Sequence, residues 1–299
     1  MIKSKTKRNR GAAVINRVTV EQFERQLDVN LNRLEKGLRD NTYKPQGIRR
    51  KQIRKPGSKE ERPLGIPTIR DRIVQGAVKN VVEPIFEQGF SEHSYGFRPG
   101  RGCKDALRRV SHLLHAGYTW VVDADIRSYF DMIPHDRLME CLRDKIADGG
   151  VLALIESFLN QGILSDLTGW GPGQGTPQGA VISPLLANIY LNPLDHIMTR
   201  LGFEMIRYAD DFVILCRSEE EARRALNQIT AWVKEAGLKL HPEKTRIVDV
   251  EQRGGFDFLG YHFERGYRWP IKKSLKQFKT LESRMREIRT SGSEGGGTG

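Results

Sequence analysis

Three aspartates far apart in the chain share one local setting. Asp125 ends the apolar run TWVVDADI, and Asp210 and Asp211 sit where the apolar runs FEMIRY and FVILC meet. Short β-branched apolar runs of this kind predict strands, the second pair forming a hairpin with acids at its tip. Three carboxylates gathered at one sheet edge form a hard oxygen site for Mg²⁺, an ion that keeps substrate phosphate oxygens in its shell. Two such ions about 3.5–4 Å apart can activate a 3′-hydroxyl and stabilise a leaving pyrophosphate. Met singly, each aspartate is an ordinary turn residue. The inference rests on the three together and on the blocks around them.

The elements that must position these acids follow from periodicity. Val18 to Asp40 sets Phe23, Leu27, Leu31, Leu34 and Leu38 at helical spacing, with Thr19 and Gln22 available for a capping box. Asp71 to Phe86 and Lys104 to Ala116 are further amphipathic helices, joined by SYGFRPGRG at Ser94 to Gly102. Between the first two helices, Lys44 to Arg62 carries eight basic residues against Glu60 and Glu61 and reads as a basic loop and contact surface. From Tyr118 a strand passes into the helical FDMIPHDRLMECLRDKI, and Val181 to Leu194 reads as a mostly buried helix. After the acidic hairpin, Glu219 to Gly237 is a helix with a glycine cap, followed by the strand-like LKLHPEKTRIVDV. The strand–helix–hairpin–helix–strand order predicts an α+β architecture, an antiparallel sheet covered by helices. The terminal SGSEGGGTG reads as a flexible tail.

Composition narrows the function. The chain has 299 residues, 38% of them apolar, enough for a sizeable core. Its 49 lysines and arginines against 37 aspartates and glutamates leave a formal charge of +12, which points to a polyanion as partner. Three scattered cysteines, Cys103, Cys141 and Cys216, exclude a disulfide scaffold and a thiolate zinc site. No run reaches the roughly 18 apolar residues of a membrane helix, so the expectation is a cytoplasmic protein with no membrane partner.

Seven blocks then succeed one another: RPLGIPTIRDRIVQ, SYGFRPGRG, DADIRSYFD, GTPQGAVISPLLANIYLNPLD, RYADD, LHPEKT and FLGYHF. In content and order they resemble the bacterial group II intron-encoded reverse transcriptases, over roughly residues 18 to 285. The resemblance implies a right-handed polymerase: an N-terminal extension and fingers over 1–117, and a palm over 118–270 with part of Gly162 to Gly179 connecting back to the fingers. The start of a thumb or linker helix follows over 271–290, and a tail over 291–299. The thumb is expected to be absent or incomplete.

It also implies roles for single residues. Asp125, Asp210 and Asp211 resemble the catalytic metal ligands, with the backbone carbonyl of Ile126 as a further metal contact. Lys55, Arg62, Arg72, Phe130, Gln178 and Gly179 resemble the dNTP-binding set: the cations hold the triphosphate, Phe130 excludes a ribose 2′-hydroxyl, and Gly179 allows close backbone approach. Phe258, Leu259 and Gly260 resemble the primer grip. The chain departs from the family where AVINRVTVEQF replaces a Gly-Val-Asp-Gly-like turn.

The implied activity is RNA-directed DNA synthesis with two Mg²⁺ ions, Mn²⁺ being a substitute. The implied partners are an RNA template, a DNA primer, dNTPs and group II intron RNA, with a homodimer as a further option. The alternatives are a non-catalytic RNA-binding maturase or splicing cofactor, and a retron-like or host-defence reverse transcriptase.

Overall fold

In a computed structural model, residues 18–54, 61–161, 174–176, 179–272 and 274–275 are described. Lys55, Gln178 and most of the expected thumb helix and tail lie outside the described residues.

The first expected helix is two: α1 (Val20–Arg25) and α2 (Leu27–Arg39), broken at Gln26. Thr19 and Gln22 form the predicted capping box. The basic segment is no loop at its ends, since β1 (Arg49–Arg54) and β2 (Glu61–Ile66) pair antiparallel with Arg49 opposite Ile66 and Arg54 opposite Glu61. Neither RRKQIR nor ERPLGI alternates apolar with polar residues, so no period of two announces these strands, which are held by pairing with each other. Helix α3 (Ile69–Glu87) starts at Thr68, whose side chain accepts from the Asp71 amide. Asp71 is buried and also accepts from Tyr43 Oη at 2.6 Å and the Gln46 amide at 3.1 Å, tying the base of the β1–β2 hairpin to α3.

Helix α4 (Cys103–His115) leads into β3 (Trp120–Asp125). The long helical pattern after it is interrupted by Ile133 and Pro134 into α5 (Tyr129–Met132) and α6 (His135–Arg143). Helix α7 (Gly149–Leu159), which the sequence reading did not single out, is capped by Asp148. Helix α8 (Ser183–Arg200) is buried along most of its length, as its apolar composition predicts. Strands β4 (Glu204–Tyr208) and β5 (Asp211–Cys216) form the expected hairpin, and α9 (Glu219–Glu235) is capped by Ser218. The strand expected from Leu238 onward is shorter, β6 (Arg246–Asp249). Beyond it β7 (Phe256–Phe258), β8 (Tyr261–Glu264) and β9 (Tyr267–Pro270) make a separate ribbon.

The main sheet has the order β4-β5-β3-β6. Alternation along β5 sends Phe212, Ile214 and Cys216 into a large core with α8 and α9, and Val213 and Leu215 into a second core with α4 and the ribbon. Both faces are therefore covered, which is why FVILC is continuously apolar although the sheet is antiparallel. No helix among the described residues is long and apolar enough to cross a membrane.

Candidate active site

Pairing register brings the first and last acids together. Asp125 lies opposite Asp211 on adjacent antiparallel strands, and Asp210 occupies the turn between Tyr208 and Asp211. The acids gather at the ends of two central strands, not along a lateral edge of the sheet. By the same alternation, Asp123 and Asp125 share the face of Val121, and Asp211 that of Val213, so all three carboxylates project on the α4 side.

The cluster is electrostatically tense. Burial first, and then Asp210, Asp123 and Asp125, push the Asp211 carboxyl up to about 7, with Lys244 opposing the shift. Burial also raises Asp123, against Arg246 Nε at 3.2 Å from its Oδ2. Lys244 Nζ donates to Asp125 Oδ2 at 2.5 Å. The lysine is delivered by its loop: Arg127 N donates to Lys239 O at 2.8 Å and His241 N to Asp125 O at 2.7 Å, bracketing a bridge between Ile126 and Leu240. Neither bond uses the Ile126 carbonyl, and Ile126 itself is buried. Among the described residues no three His, Cys, Asp or Glu side chains are drawn into a ready metal cage. The donor chemistry nonetheless fits magnesium, because the oxygens are carboxylate and their mutual repulsion is what a divalent cation would relieve.

Other expected site residues surround this point. Phe130 is half-buried beside fully buried Tyr129, ring centroids 5.5 Å apart, and Tyr129 Oη is anchored on Ala187 O at 2.6 Å. The Phe130 carbonyl accepts from the Thr176 amide at 2.6 Å, so the Gly-Thr-Pro-Gln-Gly block starts against the segment carrying Phe130. At its other end Gly179 has φ +105°, and a Cβ there would lie 2.7 Å from Leu64 Cδ1 and 2.9 Å from Gly65 O of β2. The block thus bridges the β1–β2 hairpin and the segment that carries Phe130. Arg72 is half-buried with Nε on Pro67 O at 2.9 Å, and burial disfavours its charge. Arg62 pairs with Ile53 in the β1–β2 register. Phe258, Leu259 and Gly260 form the β7–β8 turn, where Leu259 at φ 49° and Gly260 at φ 83° make the two positive φ values of a type I′ hairpin. Cys103 Sγ reaches Leu259 O at 3.9 Å, and its thiol is raised by burial and then by Asp211, so this turn sits close to the acids.

Asp123 and Lys244 were not singled out from sequence. Asp123 was findable, since residue i−2 on a strand shares the face of Asp125. Lys244 lay in a noted block, LHPEKT, but its target is 119 residues away and only folding supplies it.

Comparison with known proteins gives the family. A model of the family described as reverse transcriptase (RNA-dependent DNA polymerase) matches residues 53–263. Group II intron-encoded protein LtrA of Lactococcus lactis subsp. cremoris is 39% identical over 199 residues, covering 67% of this chain and 32% of that protein. Protein YkfC of Escherichia coli K12 is 33% identical over 290 residues, covering 84% and 75%. The fold is similar to telomerase from Candida albicans, solved in complex with a fragment of telomeric RNA, with TM-score 0.59 at 13% identity over 85% of this chain and 50% of that one. The chain therefore spans about a third of the length of the lactococcal relative.

Proposed function

We propose a catalytic role on one premise: this chain belongs to the reverse transcriptase (RNA-dependent DNA polymerase) family. The reaction is addition of deoxynucleotides to the 3′ end of a DNA primer on an RNA template. The observation that carries it is the Asp125–Asp211 cross-strand pair with Asp210 in the adjoining turn, on a chain of net charge +12. Three carboxylates repel a phosphate backbone, so a protein that only bound RNA would gain nothing from gathering them.

Asp125, Asp210 and Asp211, with the Ile126 carbonyl, would hold two magnesium ions, Mn²⁺ serving as substitute. Bound there, the metal would supply Lewis acidity to the attacking hydroxyl and the leaving pyrophosphate. The chain's own groups do the rest. Lys244, with Nζ on Asp125 Oδ2, offsets part of the negative charge of the cluster. The fingers, residues 1–117, bring Lys55, Arg62 and Arg72 to the triphosphate. Gln178 and Gly179 line the base and sugar, and Phe130 closes the space a 2′-hydroxyl would need. The β7–β8 turn at Phe258, Leu259 and Gly260 holds the primer at the end of the palm, residues 118–270, with a linker or thumb element over 271–290.

The likeness to an intron-encoded protein favours intron RNA as a further ligand of the same basic face, where Arg49 and Lys51 are exposed on β1. Primer extension on a defined RNA template with Mg²⁺ tests the main reading. Asp210→Ala and Asp125→Ala should each reduce extension at least about 1,000-fold while RNA affinity stays within about threefold. Extension by either variant near the wild-type rate would refute the metal assignment.

A further inference from the structure

The turn that carries the acids is strained. Tyr208 pairs with Asp211, leaving a two-residue turn whose first residue, Ala209, has φ +61°. That region suits glycine and disfavours any residue with a Cβ. A strained residue persists only where its surroundings over-determine it.

Two contacts do so. On one side, a Cβ on Gly96 would lie 2.3 Å from the Ala209 nitrogen, so the Ser94–Phe97 segment presses its bare backbone on the turn. This segment is itself fastened alongside β4, with Tyr95 N donating to Arg207 O and Arg207 N to His93 O. On the other side, Arg207 Nη1 donates to the Ala209 carbonyl at 2.8 Å. The guanidinium is fully buried. Asp195 takes it in a fork, Nε to Oδ1 at 2.8 Å and Nη2 to Oδ2 at 2.5 Å. Asn188 Oδ1 accepts from Nη1 at 2.9 Å, while the Asn188 amide donates to Gly96 O at 2.8 Å. Asn188 and Asp195 are seven residues apart, two turns of α8, and so share one helix face.

Burying a charged pair rarely adds stability over an apolar pair of the same volume, so stability does not account for it. Arg207 is also sealed from solvent and cannot touch RNA, primer or nucleotide. It projects to the α8 face of the sheet, as Met205 does, whereas Asp211 projects to the α4 face. What Arg207 does reach is the carbonyl of the strained residue.

We propose that Asp195, Arg207 and Asn188 are positioning residues: a buried clamp on the back of the sheet that holds Ala209 in its left-handed conformation and thereby aims Asp210 and Asp211. The clamp rests on the polymerase reading for its purpose but not for its existence.

The test removes both charges together, as Arg207→Met with Asp195→Leu, so that neither is left buried alone. The expected result is a folded chain with RNA affinity within about twofold, kcat lowered about 10- to 100-fold and dNTP KM within about threefold, as a small misplacement of reacting groups gives. Amide exchange at Ala209 to Asp211 should quicken at least about tenfold. Adding Ala209→Gly, which takes positive φ without steric cost, should recover at least about tenfold of the lost kcat and slow the exchange. Wild-type kcat and exchange in the double variant would overturn the clamp, as would a loss that Ala209→Gly leaves untouched. Should the double variant fail to fold, Asn188→Ala keeps the ion pair, and unchanged exchange at these three amides would equally overturn it. The exchange readout needs no catalysis, so a wild-type chain that extends no primer would sink the polymerase reading and leave this test intact.

Discussion

At the scale of single residues, the acids differ in what they tolerate. Asp211 is pushed up to about 7, first by burial and then by Asp210, Asp123 and Asp125, well above its value in an unfolded chain. The folded state therefore holds this proton more tightly than the unfolded state does. The contribution to stability is fully present below about pH 4 and is lost as the pH rises through about 7. In chelator, the melting temperature of the wild type should fall between pH 5 and pH 8, and Asp211→Asn, which mimics the protonated acid, should flatten that part of the profile. Parallel profiles for the two proteins would show that the repulsion is relieved some other way. Phe130 poses a different question, since it is half-buried beside the core residue Tyr129. Phe130→Ala should raise the ratio of ribonucleotide to deoxynucleotide incorporation at least about tenfold if the ring excludes the 2′-hydroxyl, a discrimination of about 1.4 kcal/mol. Equal slowing of both substrates would mean that the ring is only packing.

At the scale of elements, the site is assembled from hairpin tips and helix starts held by buried polar anchors. Asp71 is the anchor for the basic hairpin, accepting at 2.6 Å from both Tyr43 Oη and Thr68 Oγ1 as well as from the Gln46 amide. Tyr43 is correspondingly harder to ionise, through burial and then Asp71. Asp71→Ala would strand three donors in a dry setting, and urea unfolding should show a loss of about 3 kcal/mol. RNA affinity should fall with it, because the base of β1–β2 loses its tie to α3. A stability change under about 0.5 kcal/mol would show that water or another acceptor replaces the carboxylate.

At the scale of the whole molecule, a chain of +12 gathers Asp123, Asp125, Asp210 and Asp211 at the ends of β3 and β5 and exposes cations on β1, so on the proposed reading nucleic-acid affinity and chemistry fall to different surfaces. Affinity for single-stranded RNA should then be strongly salt-dependent. Neutralising about six phosphates, at a slope of about −0.7 each, gives a fall of about 300-fold in the binding constant between 50 and 200 mM salt. The Asp210→Ala variant should follow the same slope, since it removes no cation. A flat dependence in filter binding would exclude the basic face as the RNA site.

The motif blocks, the strand before Asp125, the hairpin around Asp210 and Asp211, and the helices α3, α4, α8 and α9 were legible from local pattern, because periodicity and capping act within a few residues. The β1–β2 hairpin and the β7–β9 ribbon were missed: short strands held mainly by pairing with each other carry a weak local signal. Three-dimensional packing alone decided which cations hold the acids and their turn. Lys244 on Asp125 and Arg207 on Ala209 depend on register and on burial, and a +12 chain offers too many lysines and arginines for charge or spacing to choose among them.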